Sequence, residues 1–203
     1  RNMLYAVACT LATIVDSGEP PPTDGAMLTY LPPFWIAGEV GGIIGPIMTN
    51  LTVVLLARWD MEAVLTAIDR YAVLGLSGTI ENYLDIMALP DLKNYKLSSL
   101  RSSLAMSFVK KLTPEIRKRW NQMTGLTLKE SAYGMTETHT MDTFTNGMQQ
   151  DDMDLKSKPI FCGIPMPRTQ IKIVDFNNRE ILPLESEGEI VIKSPSLMRG
   201  YWK

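Results

Sequence analysis

Four short runs set beside amphipathic helix patterns constrain this chain more than any other feature. "LTVVLL" (51–56), "VLGLS" (73–77), "LRSSLAM" (100–106) and "TLKES" (127–131) read as strands. The first is apolar throughout, the pattern of a strand buried on both faces of a parallel sheet. Asp60 is placed to cap the helix that follows it, Glu62 sits in its first turn, and Val64, Leu65 and Ile68 form one stripe. "IENYLDIMAL" is helical and stops at Pro90. Thr113, Pro114 and Glu115 open a further helix with a cap, a first-position proline and an acid. Ile116, Trp120 and Met123 share one face of it, and Gly125 is its C-terminal stop. Strand and helix repeated in this way give an α/β fold with a parallel sheet and flanking helices. Ligands of such sheets sit off the carboxyl ends of the strands.

The flanks read differently. Residues 3–15 form a helix with Asn2 as its cap, "SGEPPPTDG" (17–25) is a loop, and "AMLTYLPP" is a short strand ended by Pro32 and Pro33. Between Phe34 and Ala57 only Glu39 is charged, which imitates a membrane span. Gly38, Gly41, Gly42, Gly45 and Pro46 crowd that stretch, and Thr49 and Asn50 punctuate it. It reads as a buried Gly-rich helix followed by a buried strand, with no integral membrane span. Glu39 reads as a helix-end residue that reaches solvent. The tail holds short strands, "TQIKIVD", "EILPL" and "EIVIK", separated by Asn177, Asn178 and "ESEGE". Pro165 and Pro167 mark the boundary before a small antiparallel, barrel-like subdomain. The expected division is a first α/β remnant (1–29), an α/β subdomain (30–157) and a partial β-barrel (158–203).

Charge excludes one class of partner. Twenty Lys and Arg against 22 Asp and Glu leave a net charge of −2, so no basic field attracts nucleic acid. Cys9 and Cys162 are far apart and in no motif; they read as reduced thiols of a cytoplasmic protein. His139 is the single histidine and cannot build a His-based metal site alone. "DDMD" (151–154) lacks the glycine turn and distal Glu of a calcium loop and reads as solvated. Lys110, Lys111, Arg117, Lys118 and Arg119 read as solvated faces. "LSGT" (76–79) faintly imitates a phosphate loop, but no Lys follows, so it reads as a strand-helix turn. The 13 methionines read as plastic core or pocket lining.

The stretch with chemistry is "ESAYGMTETHT" (130–140), at the end of the last strand of the repeat. Gly134 lets a ligand approach the backbone. A hydroxyl there donates to a phosphate oxygen, and a carboxylate beside it holds Mg²⁺, which prefers oxygen ligands and phosphates. Tyr133, Thr136 and Glu137 together suit a magnesium nucleotide. On spacing alone, a solvated strand-to-loop turn is the stronger reading.

"YGMTET" resembles the Tyr-Gly-x-Thr-Glu motif of the AMP-forming acyl-adenylate superfamily, which holds acyl-CoA synthetases, luciferases and adenylation domains of peptide synthetases. The opening "RNMLYA", the segment from "LPPFWIAGEVGG" to "LLARWD", "GIPMPRTQIKIVD" and "EGEIVIKSPSLMRGYWK" resemble that superfamily in order and spacing. The resemblance implies that Tyr133 flanks adenine, with Gly134 and Met135 beside the nucleotide. Thr136 would contact the α-phosphate and Glu137 would bind Mg²⁺. Trp35, Gly38, Thr79 and Ala132 would line the acid pocket. Trp35 stands at an aromatic gate toward the CoA channel or is a core Trp; both readings stay open. Ser107, Phe108 and Val109 would line the base, although Met106 and Ser107 occupy the family's usual glycine places.

The implied reaction is ATP-dependent adenylation of a fatty or aryl carboxylic acid and its transfer to CoA. A carrier-protein acceptor and a non-catalytic scaffold are the alternatives. Carrier-loading relatives often have Asp at the Trp35 position, which counts mildly against an amino-acid substrate. The expectation is a central slice of a ligase, with the phosphate loop before Arg1 and the ribose-binding Asp after Lys203, and so a chain inactive alone. The oligomeric state is open, a homo-oligomer included.

Overall fold

The structure, a computed structural model, describes residues 1–16, 24–156 and 161–202. Helix α1 (Asn2–Asp16) precedes β1 (Ala26–Thr29), α2 (Ile36–Glu39), a π-turn (Val40–Ile44), α3 (Gly45–Thr49) and β2 (Thr52–Leu55). The repeat follows: α4 (Met61–Tyr71), β3 (Val73–Thr79), α5 (Ile80–Ala88), β4 (Ser102–Met106), α6 (Pro114–Thr124) and β5 (Leu128–Glu130). The five strands form one parallel sheet in the order β2-β1-β3-β4-β5. Beyond it lie β6 (Thr143–Phe144), α7 (Met153–Lys156), β7 (Ile164–Pro165), β8 (Gln170–Val174) and β9 (Glu189–Lys193). β6 pairs antiparallel with β7, and β8 with β9.

The helix boundaries are set by local chemistry. Asp60 accepts from the Ala63 amide at 3.0 Å, and Thr113 accepts from the Ile116 amide at 3.3 Å. Gly125 closes α6 with φ 75°. Val64, Leu65 and Ile68 of α4, Ile80, Tyr83 and Ile86 of α5, and Trp120 of α6 pack on Val73, Leu76, Ala105 and Leu128. Burying each large side chain contributes roughly 1.5–3 kcal/mol. The Tyr83 and Trp120 rings meet edge to face with centroids 4.8 Å apart. Their polar atoms are satisfied: the Tyr83 hydroxyl faces the Leu76 and Leu104 carbonyls at 2.7 and 2.9 Å, and the Trp120 Nε1–H donates to Ser103 Oγ at 3.1 Å.

Several expectations are corrected. Strand β2 is not buried on both faces: it is a sheet edge, and Val53 and Leu55 are exposed. The Gly-rich helix is present and runs on from α2 through the π-turn into α3 with right-handed backbone at each junction, but Ile43, Ile47 and Met48 are exposed; no described helix is long and apolar enough to cross a membrane. "EILPL" forms only an isolated bridge from Ile181 to Val174, because Pro183 has no N–H for a ladder. Asn2 lies inside α1, where its side chain donates to the Leu197 carbonyl. Met123 is exposed, unlike Trp120 on the same helix. The loop at 17–23 and the boundary after 157 lie outside the described residues.

Arg117 and Asp154 depart furthest from the solvated reading. Arg117 is 6% and Asp154 2% exposed. The guanidinium grips the Asp154 carboxylate with two bonds of 2.8 and 2.6 Å. It also donates to Asp152 and, through Nε, to the Leu128 carbonyl, both at 2.8 Å. This fork ties α6 to α7 and to the start of β5. Burial alone would lower the proton affinity of Arg117; Asp154 and Asp152 more than reverse that.

Candidate functional site

The residues expected to act come from different strands, but the sheet delivers them to one edge. All five strands run the same way, so their carboxyl ends share that edge. Trp35 and Gly38 follow β1, Thr79 ends β3, residues 107–109 leave β4, and residues 132–137 leave β5. β3, β4 and β5 are adjacent, so the last three sets are neighbours.

Hydrogen bonds stitch these exits together. Glu130, the last residue of β5, is buried and accepts from the Ser107 hydroxyl at 2.5 Å and from its amide at 3.2 Å. The same hydroxyl accepts from the Leu112 amide at 2.9 Å, folding the 107–112 turn. The Lys110 amide donates to Glu81 at the start of α5. Burial raises the Glu130 pKa, and the Ser107 bonds oppose the rise. Phe108 and Val109 project outward and are exposed. Thr79 accepts from the Asn82 amide and Asn82 answers its backbone, a reciprocal cap that fixes the β3–α5 turn.

The motif is an open loop closed by a single 3₁₀ turn (Thr136–Thr138). Tyr133 is half-buried, Thr136 is exposed and Glu137 is partly exposed. The Tyr133 amide donates to Thr143 Oγ1 at 3.0 Å, and its carbonyl accepts from the Asp142 amide at 2.8 Å. His139, Thr140 and Met141 then take φ values of 57°, 63° and 34°, three successive non-glycine residues in the left-handed region. That is sparsely populated backbone, and such backbone persists only where its surroundings over-determine it. The expected reason for Gly134 needs correction. A Cβ there would lie 2.3 Å from the Met141 amide nitrogen, so the space is filled by the chain's own backbone rather than left for a ligand. Gly38 is alike: a Cβ added there would collide with the Pro32 carbonyl oxygen. Trp35 is 52% exposed and packs edge-on to Phe34.

A segment of the tail lies on the motif. The Met198 amide donates to the Glu137 carbonyl at 2.7 Å, and the Tyr201 hydroxyl donates to Glu137 Oε1 at 2.7 Å. The Tyr201 bond, and next the loop's own backbone, hold the Glu137 carboxyl below the usual carboxylate range. His139 Nδ1 meets the Ser196 carbonyl at 2.6 Å. A carbonyl only accepts, so Nδ1 carries a proton. Among the described residues no three His, Cys, Asp or Glu side chains cluster to hold a metal. Glu137 and the neighbouring Thr136 hydroxyl offer oxygen donors, the set that suits Mg²⁺ shared with phosphates rather than a protein cage.

Sequence reasoning missed Glu130, Asp142 and Tyr201. Alternation along β5 could have exposed the first: Leu128 and Glu130 share the buried face while Lys129 does not. Nothing local signals the other two. Two hollows, of about 540 Å³ beside Arg70 and Tyr95 and about 280 Å³ beside Arg101 and Thr127, open elsewhere. The first is lined by residues that precede β3 and β4, and the second by the starts of β4 and β5 with Gly147 and Gln149, so both lie toward the amino edge of the sheet.

The AMP-binding enzyme family matches residues 1–202. The long-chain-fatty-acid–CoA ligase of Bacillus subtilis (strain 168) is 29% identical over 176 residues, covering 87% of this chain and 30% of that protein. The mitochondrial medium-chain acyl-CoA ligase ACSF2 of Danio rerio is 30% identical over 174 residues, covering 85% and 28%. The chain thus spans about 30% of the length of the curated relatives it matches. O-succinylbenzoate coenzyme A synthetase from Bacillus subtilis, in complex with ATP and magnesium ion, shares the fold with a TM-score of 0.73. It is 22% identical and is matched over 98% of this chain and 38% of that one.

Proposed function

The chain belongs to the AMP-binding enzyme family, and from that premise we propose that it carries part of the nucleotide and acid site of an ATP-dependent, AMP-forming acid–CoA ligase. The whole protein adenylates a fatty or aryl carboxylic acid, releasing pyrophosphate, and then transfers the acyl group to the CoA thiol with release of AMP. The observation that carries the reading is the convergence of residues 79, 107–109 and 132–137 on one carboxyl edge of the sheet.

Tyr133 flanks the adenine, and Gly134, Met135 and the 107–109 turn border it. Thr136 donates to the α-phosphate, and Glu137 would hold Mg²⁺, with the Tyr201 hydroxyl occupying one of its carboxylate oxygens. Bound magnesium would neutralise charge on the phosphates; positioning and charge stabilisation by the surrounding groups supply the rest. Ala132, Thr79, Gly38 and Trp35 border the acid. Loss of one preorganised donor of this kind costs about 10²–10³ in rate. We propose that this chain alone, a central part of the large domain, does not complete the reaction.

Isothermal titration with MgATP, and separately with AMP, tests the assignment. Saturable binding that Glu137→Ala weakens more for MgATP than for AMP supports it. Equal weakening of both would remove Glu137 from the magnesium role. No binding to either would assign the chain a scaffold role.

A further inference from the structure

Asp142 is 1% exposed and sits beneath the motif loop. Its Oδ2 lies 2.5 Å from the Thr138 hydroxyl, and no donor among the described residues reaches its Oδ1. Thr138 is itself fully buried, and its hydroxyl also lies 3.3 Å from the Met135 carbonyl. That hydroxyl owns one hydrogen and has two acceptors before it. If Asp142 is a carboxylate, the hydrogen goes to Oδ2. The Met135 carbonyl keeps its two amide donors, from Thr138 and Thr140, but a buried charge is left with one bare oxygen, an expensive arrangement. If Asp142 is a carboxylic acid, it donates to Thr138 Oγ1, and Thr138 donates to Met135. Every hydrogen is then used and no charge is buried.

We propose that Asp142 is a positioning residue held as the neutral acid at neutral pH, the head of a two-bond relay through Thr138 to the Met135 carbonyl. Met135 lies between Gly134 and Thr136, and the relay adds a hydroxyl donor to a carbonyl that the Thr138 and Thr140 amides already reach at 3.3 and 2.9 Å. Asp142 also fixes both flanks through its backbone, donating to the Tyr133 carbonyl and accepting from the Met166 amide, each at 2.8 Å. The titratable groups around it are Tyr133 and, through Tyr133, Cys162 and Glu137; Glu130 bears on Cys162 in turn. All become negative when they ionise, and among the described residues no cation contributes to the proton affinity of Asp142. Burial raises that affinity, and the Thr138 bond opposes it. Only the link from this relay to nucleotide rests on the function proposed above; the protonation state does not.

The test compares the 203-residue chain with Asp142→Asn and Asp142→Ala by infrared spectroscopy and thermal melting. Asn keeps a donor toward Thr138 without the charge. The expected result is a protonated-carboxyl C=O band at pH 7 that Asp142→Asn abolishes. Asp142→Asn melts at or above the wild-type temperature, and Asp142→Ala melts lower by roughly 2–8 °C. Because the folded-state pKa is raised, the wild type gains on Asp142→Asn below the unfolded pKa of about 3.9 and loses that gain as pH rises through the folded pKa. Absence of a band that depends on Asp142 at pH 7 overturns the proposal. So does an Asp142→Asn variant as destabilised as Asp142→Ala. If Asp142→Ala does not fold, the band and the Asn variant still decide.

Discussion

Around β3 and β4 the buried side chains are mostly apolar, among them Leu76, Tyr83, Ala105 and Trp120, with Ser103 the polar exception that bonds Trp120. Just past β5 they are Thr138, Asp142, Thr143 and Thr145. The first region is held by area removed from water, which is non-directional and tolerates local adjustment. The second is held by directional bonds between buried polar groups, on a backbone with three successive left-handed residues. An apolar core can be read as a platform. A polar, strained loop is justified only by what it positions, and here it positions Tyr133, Thr136 and Glu137.

Substitutions can break or sharpen this contrast, beginning with those of largest effect. Trp120→Ala removes the side chain that joins α6 to α5 and the sheet; chemical denaturation should show a loss of about 3–5 kcal/mol. Asp154→Ala leaves the Arg117 guanidinium buried without its bidentate partner, and a loss of about 3–5 kcal/mol is expected. Replacing Arg117 and Asp154 together by apolar residues should cost less than Asp154→Ala alone; if it costs more, the fork contributes net stability of its own.

Glu130 gives a smaller, pH-dependent effect. Its folded-state pKa is raised, so its contribution is full below the unfolded pKa and is lost as pH rises through the folded value. Denaturation of wild type and Glu130→Gln across pH 4–8 should therefore show the wild-type advantage shrinking as pH rises. A constant difference would mean that Glu130 is not desolvated. Thr79→Ala removes the reciprocal cap of α5 and should cost about 1 kcal/mol, with the sheet intact. Tyr201→Phe should leave stability nearly unchanged. Carboxyl NMR should instead show the Glu137 pKa rising toward the ordinary range, because its main depressing partner is gone.

The contrast also marks what the sequence makes legible. Asp60, Thr113 and Gly125 act within one helical turn of themselves, so local spacing reveals them. The parallel sheet follows from repeated local patterns. Arg117 and Asp154 are 37 residues apart and meet only because α7 returns to α6. Tyr201 reaches Glu137 across 64 residues of chain. Gly134 was legible as a close approach, but not as an approach by Met141 of the same loop. Residues that bond across the fold carry no local signature, and Glu137 and His139, held by Met198, Tyr201 and Ser196, are such residues of the motif loop.

The central claim is that nucleotide binds on the carboxyl edge of the sheet, at the polar loop. Backbone amide NMR of the chain titrated with MgATP tests it most directly. The account predicts shifts concentrated at 107–109 and 132–138, reduced in Glu137→Ala. Shifts concentrated instead around the amino-edge hollow near Arg70 and Tyr95, with residues 132–138 unmoved, would contradict it.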